Sequence, residues 1–168
     1  AVLCGTGMTE LATSTPGATA ETFRSETPWG EVPCTLVRQG EHEFLFIYRH
    51  HSPDGKVNPP HSVEHRANVH AAAAFGPAAV VSVWCVGSMD PDFPPGVVGV
   101  ADDMLDISGT VWTYHDSDAV HVDRTEMFDR ALASIAITAL AGQADAGPNA
   151  FRQVVGQASG PQFESRAD

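Results

Sequence analysis

The sequence predicts an α/β fold with a mainly parallel sheet. Short apolar strands alternate with helical stretches along the chain, the order that builds a layered α/β sandwich. One of those strands, Ala78 to Trp84, is a nearly continuous Val-rich run, the pattern of a strand covered on both faces. The 168 residues contain no internal repeat, no low-complexity tract and no dividing linker, so they read as one domain.

The elements follow in order. Ala1 to Cys4 is a short apolar strand that runs into Gly5-Thr6-Gly7, a tight loop. Thr13 to Ala20 is small and polar and reads as a flexible loop. Thr27-Pro28-Trp29-Gly30 is a turn. Cys34 to Arg38 and Glu43 to Arg49 bracket Gln39-Gly40-Glu41 as a hairpin. His51 to Pro60, with three prolines, is a loop. Ser62 to Phe75 is an Ala-rich helix stopped by Gly76-Pro77. Beyond the Val-rich strand, Pro91 to Gly96 is a proline loop, Val97 to Ala101 a short strand ending at Asp102-Asp103, and Gly109 to Asp118 irregular. Asp123 to Ala141 is the longest helix, with Leu132, Ile135, Ala136 and Ala139 on one stripe. Phe151 to Ala158 is a strand ended by Gly160-Pro161. Ala1 lies inside a strand and Asp168 inside what reads as a helix start, the expectation for a trimmed or incomplete domain.

Composition narrows the function. Nine Lys and Arg against 21 Asp and Glu give a net charge of −12. Nucleic acid and anionic membranes are therefore excluded as partners, since both demand clustered cations. No window has the roughly 18 uncharged apolar residues of a membrane span, and no signal peptide is expected. Cys4, Cys34 and Cys85 are far apart and odd in number, which points to reduced thiols in a cytoplasmic protein.

Several short motifs sit where α/β proteins bind ligands. Gly5-Thr6-Gly7 follows a strand, where glycines admit an anion and the Thr hydroxyl adds a donor, though the same residues also make a simple turn. Arg49-His50-His51 ends a strand and offers a planar guanidinium and an imidazole to a phosphate or carboxylate, or is a solvated strand end. His61-Ser62-Val63-Glu64-His65 matches the H-x-x-E-H zinc pattern literally, but no distal ligand motif follows, and no metal is assigned. Asp102, Asp103 and Asp106 are either carboxylates for Mg²⁺ binding or acid–base work, or a helix cap with favourable first-turn charge, and the cap is the simpler reading. Phe163-Glu164 would suit a flat heterocycle with N–H donors.

Taken in order, the segments carry more than any one of them. Gly5-Thr6-Gly7-Met8, Thr27-Pro28-Trp29-Gly30-Glu31, Arg49-His50, Arg66-Ala67-Asn68, Val86-Gly87-Ser88-Met89, Pro95-Gly96, Asp102-Asp103-Met104-Leu105-Asp106 and Gly160-Pro161-Gln162-Phe163-Glu164-Ser165-Arg166-Ala167 resemble the trimeric purine nucleoside phosphorylase and methylthioadenosine phosphorylase family, across essentially the whole chain. The resemblance implies a three-layer sandwich with a mixed, mainly parallel central sheet. It implies phosphorolytic cleavage of the N-glycosidic bond of a small-molecule substrate, a purine nucleoside or methylthioadenosine. Inorganic phosphate is the co-substrate, no cofactor is needed, and a homotrimer is expected. By position, Thr6, Arg49 and His50 match the family's phosphate-binding groups. The backbone around Cys85 and Val86 matches the turn that touches phosphate and sugar. Phe163 matches the ring stacked on the base, Glu164 the carboxylate that reads a 6-oxopurine, and His121 a residue that reaches a neighbouring subunit's site.

Three features depart from the family pattern. Trp84 stands where the family has a small or polar residue, beside phosphate and sugar. Glu64 and His65 replace an amide and a tyrosine at the helix start, and the loop from His51 to Pro60 is altered. The family chain also continues past the Gly-Pro-x-Phe-Glu segment with a ribose-binding Met, a further phosphate contact and the group that protonates the leaving base. These departures leave an alternative: an enzyme repurposed on the same scaffold for a more apolar substrate. There Trp84 fills the former phosphate site, and His50, Asp102 and Asp103 handle protons in a lyase, hydrolase or cyclase.

Overall fold

The protein is described from a computed structural model covering residues 1–5, 7–8, 10–111, 113–142 and 151–160. It divides into two compact units, Ala1–Val86 and Gly87–Asp168.

The first unit is a five-stranded mixed sheet with helices on its faces. Its strands are β1 (Val2–Cys4), β2 (Thr19–Thr27), β3 (Gly30–Gln39), β4 (His42–Tyr48) and β5 (Val81–Val83), in the spatial order β2-β3-β4-β1-β5. The β2–β3 and β3–β4 pairs are antiparallel hairpins, and β1 lies parallel between β4 and β5. Alternate residues point to opposite faces, so each face has its own core. On one side Val32, Cys34, Leu45 and Ile47 pack against Ala67, Ala71 and Ala72 of α2 (His65–Ala74). On the other, Cys4, Val37 and Phe46 pack against Ala12 of α1 (Leu11–Ser14). Helix, sheet and helix make the three layers that the family resemblance implies.

Turn chemistry sets the register of the β2–β3 hairpin. Thr27 Oγ1 donates to the Gly30 carbonyl at 2.6 Å, and Gly30 has φ +115°, which only glycine adopts without strain. The Trp29 ring at this turn takes the Arg66 guanidinium at 5.3 Å and the His70 ring edge-on at 5.8 Å, pinning the hairpin to α2. Gly76, with φ +67°, ends α2 as expected.

The second unit pairs β6 (Gly99–Asp106) in parallel with β7 (Phe151–Gln157), and α3 (Arg130–Ala141) packs on them. Arg152 on β7 donates to Asp102 Oδ1 at 2.6 Å and to Ser134 Oγ at 2.8 Å, tying both strands to the helix.

Several sequence expectations are corrected. Thr13 to Ala20 is not a single loop: Leu11–Ser14 is helical and Thr19 opens β2. Strand β2 carries no clear sequence signal, because its residues are mostly polar, nearly all exposed and specified by pairing with β3 rather than by apolar alternation. Helix α2 starts at His65, not Ser62, because Pro59 and Pro60 hold a 3₁₀ turn over Pro60–Ser62 and Val63 is extended. The Val-rich run yields only three strand residues, and Val80 and Val81 are half exposed, because β5 is the last strand of its sheet and pairs with β1. Asp102, Asp103 and Asp106 cap no helix, because β6 runs on through them with a bulge between Ala101 and Asp103. Helix α3 begins seven residues later than predicted. Asp123 closes a local turn onto Thr125, and Asp129 is the cap, accepting from the backbone N–H groups of Ala131 and Leu132 at 2.8 and 2.9 Å. Its predicted stripe is also rotated: Leu132 and Ile135 are exposed, and Ala133 is buried. The helix is apolar nearly all round, so periodicity could not choose its inner face.

Candidate functional site

The candidate site is built by three strands that end level with one another. In the parallel ladder Cys4 stands opposite both Tyr48 and Val83. The residues that follow therefore leave the sheet at one carboxyl edge: Gly5 after β1, Arg49 after β4 and Trp84 after β5. That edge is where open α/β sheets hold ligands. The Gly5 loop, the Arg49-His50 pair and the Trp84-Cys85-Val86 segment, separated in sequence, are brought together here.

Arg49 is the centre of the edge. Its backbone N–H donates to the Cys4 carbonyl at 3.1 Å, the last rung onto β1. Its Nη1 donates to the Val83 carbonyl at 2.8 Å, so the side chain reaches across β1 to β5. It lies directly over Gly5, where an added Cβ would meet Nη2 at 2.7 Å. Burial lowers the Arg49 pKa from its usual value, and the Cys4 and Cys85 sulfurs oppose that shift. The group nevertheless stays charged. Among the described residues no carboxylate pairs with it. A half-buried guanidinium without a counterion is suited to an incoming anion.

The neighbouring imidazoles are oriented by hydrogen bonds. His50 Nδ1 donates to the Asn58 carbonyl at 2.9 Å, because a carbonyl can only accept. Asn58 returns two bonds, from its N–H to the His50 carbonyl at 2.7 Å and from Nδ2 to the His51 carbonyl at 2.8 Å. The proton on Nδ1 leaves His50 Nε2 as the nitrogen free to meet a ligand. His51 Nε2 donates to Asn68 Oδ1 at 2.9 Å. Burial is the main cause that lowers the pKa of half-buried His65, and Arg49 and His50 add to it against the pull of Glu64. The edge is thus locally electropositive in an acidic protein.

Glu64 does not oppose an anion here. Its Oε1 accepts from the backbone N–H and Nε of Arg66 at 3.2 and 3.1 Å, capping α2. This pairing also separates it from the zinc-like pattern of His61 to His65, and among the described residues no group of three His, Cys, Asp or Glu could hold a metal ion. A cavity of about 90 Å³ borders the site, lined by Cys4, Gly5, Tyr48, His50, His51, Lys56 and Val57. A larger cleft of about 260 Å³ is lined by Arg24, Glu31, His51, Ser52 and Pro53, without Arg49.

Trp84 is half-buried and Cys85 and Val86 are exposed, all just past β5. His121, Asp102 and Asp103 belong to the second unit: His121 is exposed on an irregular stretch, and Asp102 is engaged with Arg152. Asp103 Oδ1 accepts from the Met104 N–H at 2.8 Å. Thr6, Phe163 and Glu164 lie outside the described residues. Sequence reasoning missed Asn58 and Asn68 as supports of the arm. An Asn among alanines on the inner face of α2 was the signal for the second.

Comparison with known proteins agrees with this frame. The family model of the phosphorylase superfamily matches residues 1–168. The S-methyl-5'-thioadenosine phosphorylase of Mycobacterium tuberculosis is 34% identical over 155 residues, covering 90% of this chain and 55% of that protein. The 6-oxopurine nucleoside phosphorylase of Pyrococcus furiosus is 33% identical over 132 residues, covering 71% of this chain and 49% of that protein. The chain thus spans about half the length of the curated relatives it matches. Among solved structures, the methylthioadenosine phosphorylase of Schistosoma mansoni in apo form superposes with a TM-score of 0.80 at 20% identity, over 99% of this chain and 66% of that one, a likeness of fold. On the family match over its whole length, the chain belongs to the phosphorylase superfamily.

Proposed function

We propose that the protein is a nucleoside phosphorylase that binds inorganic phosphate at the carboxyl edge of β1, β4 and β5. The observation that carries this reading is the Arg49 guanidinium. It is seated on Gly5, tied to the Val83 carbonyl and unmatched by any carboxylate among the described residues, with His50 beside it. Phosphate held there is the nucleophile. One of its oxygens bonds to the anomeric carbon of the sugar, the bond from that carbon to the purine nitrogen breaks, and the electron pair leaves with the base, which takes up a proton. The sugar develops oxocarbenium character as the bond breaks. A dianion fixed beneath it stabilises that charge and replaces a bimolecular encounter by a positioned one.

The substrate is a purine nucleoside or methylthioadenosine. Relatives of both kinds match the chain, and Phe163 and Glu164 match the family's base-stacking and 6-oxopurine-reading residues. A homotrimer in which His121 enters a neighbouring site follows from the same resemblance, and light scattering reads its mass directly. The matched relatives bear phosphorylase names, and those reported lend no support to a non-phosphorolytic reaction on this scaffold. The deciding assay offers inosine and methylthioadenosine with phosphate and measures free base. Release from either supports the reading, and the preferred nucleoside assigns the branch. No release from any purine nucleoside overturns it.

A further inference from the structure

We propose that Asn68 is a positioning residue for the anion-binding arm. Its buried amide joins helix α2 to the end of β4 and sets where Arg49 and His50 stand. The proposal rests on the reading of Arg49 and His50 as the phosphate site and deepens it.

Asn68 is 2% exposed, on the α2 face otherwise made of Ala67, Ala71 and Ala72. A carboxamide in such a layer is costly unless both its halves are bonded. Both are. Nδ2 donates to the Arg49 carbonyl at 3.1 Å, and Oδ1 accepts from His51 Nε2 at 2.9 Å. The two bonds settle which end of the amide is which, since only the NH₂ group can face a carbonyl.

The placement of these bonds is what matters. After Tyr48 the chain leaves the sheet, and Arg49 keeps one rung, its N–H on the Cys4 carbonyl. The peptide carbonyl of Arg49 and the ring of His51 then both dock on Asn68, one on each side of His50. Asn58 holds His50 itself by its carbonyl and ring. The arm is therefore bracketed by two asparagines, and Asn68 is the one that refers it to the helix and so to the core. No other side chain of this size offers a donor and an acceptor on two separate atoms. Leucine fills the volume with neither. Aspartate keeps the acceptor for His51 but turns an anionic oxygen toward the Arg49 carbonyl.

The test is isothermal titration of the full chain with inorganic phosphate, for wild type, Arg49→Ala, Asn68→Leu and Asn68→Asp, with KM for phosphate and for the nucleoside measured beside it. The expected result is phosphate affinity weaker by roughly tenfold in both Asn68 variants, the scale of one mispositioned hydrogen bond to an anion. The KM for phosphate rises in parallel, and the KM for the nucleoside stays within about twofold. A merely structural role would lower the melting temperature and leave phosphate affinity of the folded protein unchanged, and that result overturns the proposal. Should the variants fail to fold, phosphate titration of wild type by NMR decides. The Asn68 side-chain amide resonances should shift with the same midpoint as His50, and invariance overturns the proposal. Binding that is lost in Arg49→Ala but intact in the Asn68 variants refutes the positioning role alone. No binding by wild type, or full binding by Arg49→Ala, refutes the anion site and this proposal with it.

Discussion

Replacing Gly5 by alanine should separate folding from anion binding. A Cβ at position 5 would stand 2.7 Å from Arg49 Nη2 and 3.1 Å from Cζ and Nη1, whereas ordinary contact begins near 3.4 Å. The guanidinium must withdraw by about 0.7 Å to restore that contact. Its 2.8 Å bond to the Val83 carbonyl then stretches out of the range of a good hydrogen bond. The clash involves the tip of a flexible side chain, and Gly5 carries no positive φ, so the backbone itself is not strained. Stability should fall only by about the value of one charge-assisted bond, ~1.5–3 kcal/mol. Phosphate contacts depend on the guanidinium position, and an energy of the same size lost there weakens binding by roughly 10- to 150-fold. Phosphate titration and thermal melts of wild type and Gly5→Ala measure the two effects side by side. Wild-type phosphate affinity in a folded Gly5→Ala protein would refute the assignment of Arg49 as the anion anchor.

Three further outcomes follow from the same structure. Maleimide at pH 8 should label Cys85 and spare Cys4 and Cys34. Cys85 is exposed, the other two are buried, and burial pushes the Cys34 thiol up to about 11. Fast labelling of all three in native protein would contradict the packing of both cores. His65 has a pKa lowered by burial and by Arg49 and His50, so above its usual value near 6.5 both folded and unfolded chains hold it neutral. As pH falls through that value the unfolded chain binds the proton first, and stability drops until the folded group also titrates. Denaturant unfolding at pH 7.5 and 5.5 should show a smaller loss for His65→Gln than for wild type, and equal losses would refute the effect. Asp129→Ala removes the cap of α3 and should cost about 1 kcal/mol, read as a lower melting temperature. An unchanged melt would show that this cap adds nothing.

What the sequence revealed depended on whether the signal was local. The hairpin around Gly40 and the stop at Gly76 were legible because each turn has its own chemistry. The candidate anion residues were legible as motifs at strand ends. Their convergence was not, because it comes from the register that sets Cys4 against Tyr48 and Val83. Strand β2 was hidden by its polar residues. The start of α3 was hidden because Arg124, Glu126 and Met127 ahead of it are themselves good helix formers, so propensity did not mark Asp129 as the boundary. The Asp102–Arg152 pair spans 50 residues, so reading the acidic cluster as a cap was the natural local error. Asn68 carried a hint, a carboxamide among alanines, but its partners lie 17 and 19 residues away.

The central claim is that phosphate at the Arg49-His50 edge drives cleavage of a purine nucleoside, and the phosphate dependence of base release tests it most directly. With inosine or methylthioadenosine as substrate, release should rise and saturate with phosphate, with one sugar phosphate formed per base. In Arg49→Ala it should fall by at least about a hundredfold. Base released without phosphate, or a folded Arg49→Ala protein with the wild-type phosphate response, would contradict the account.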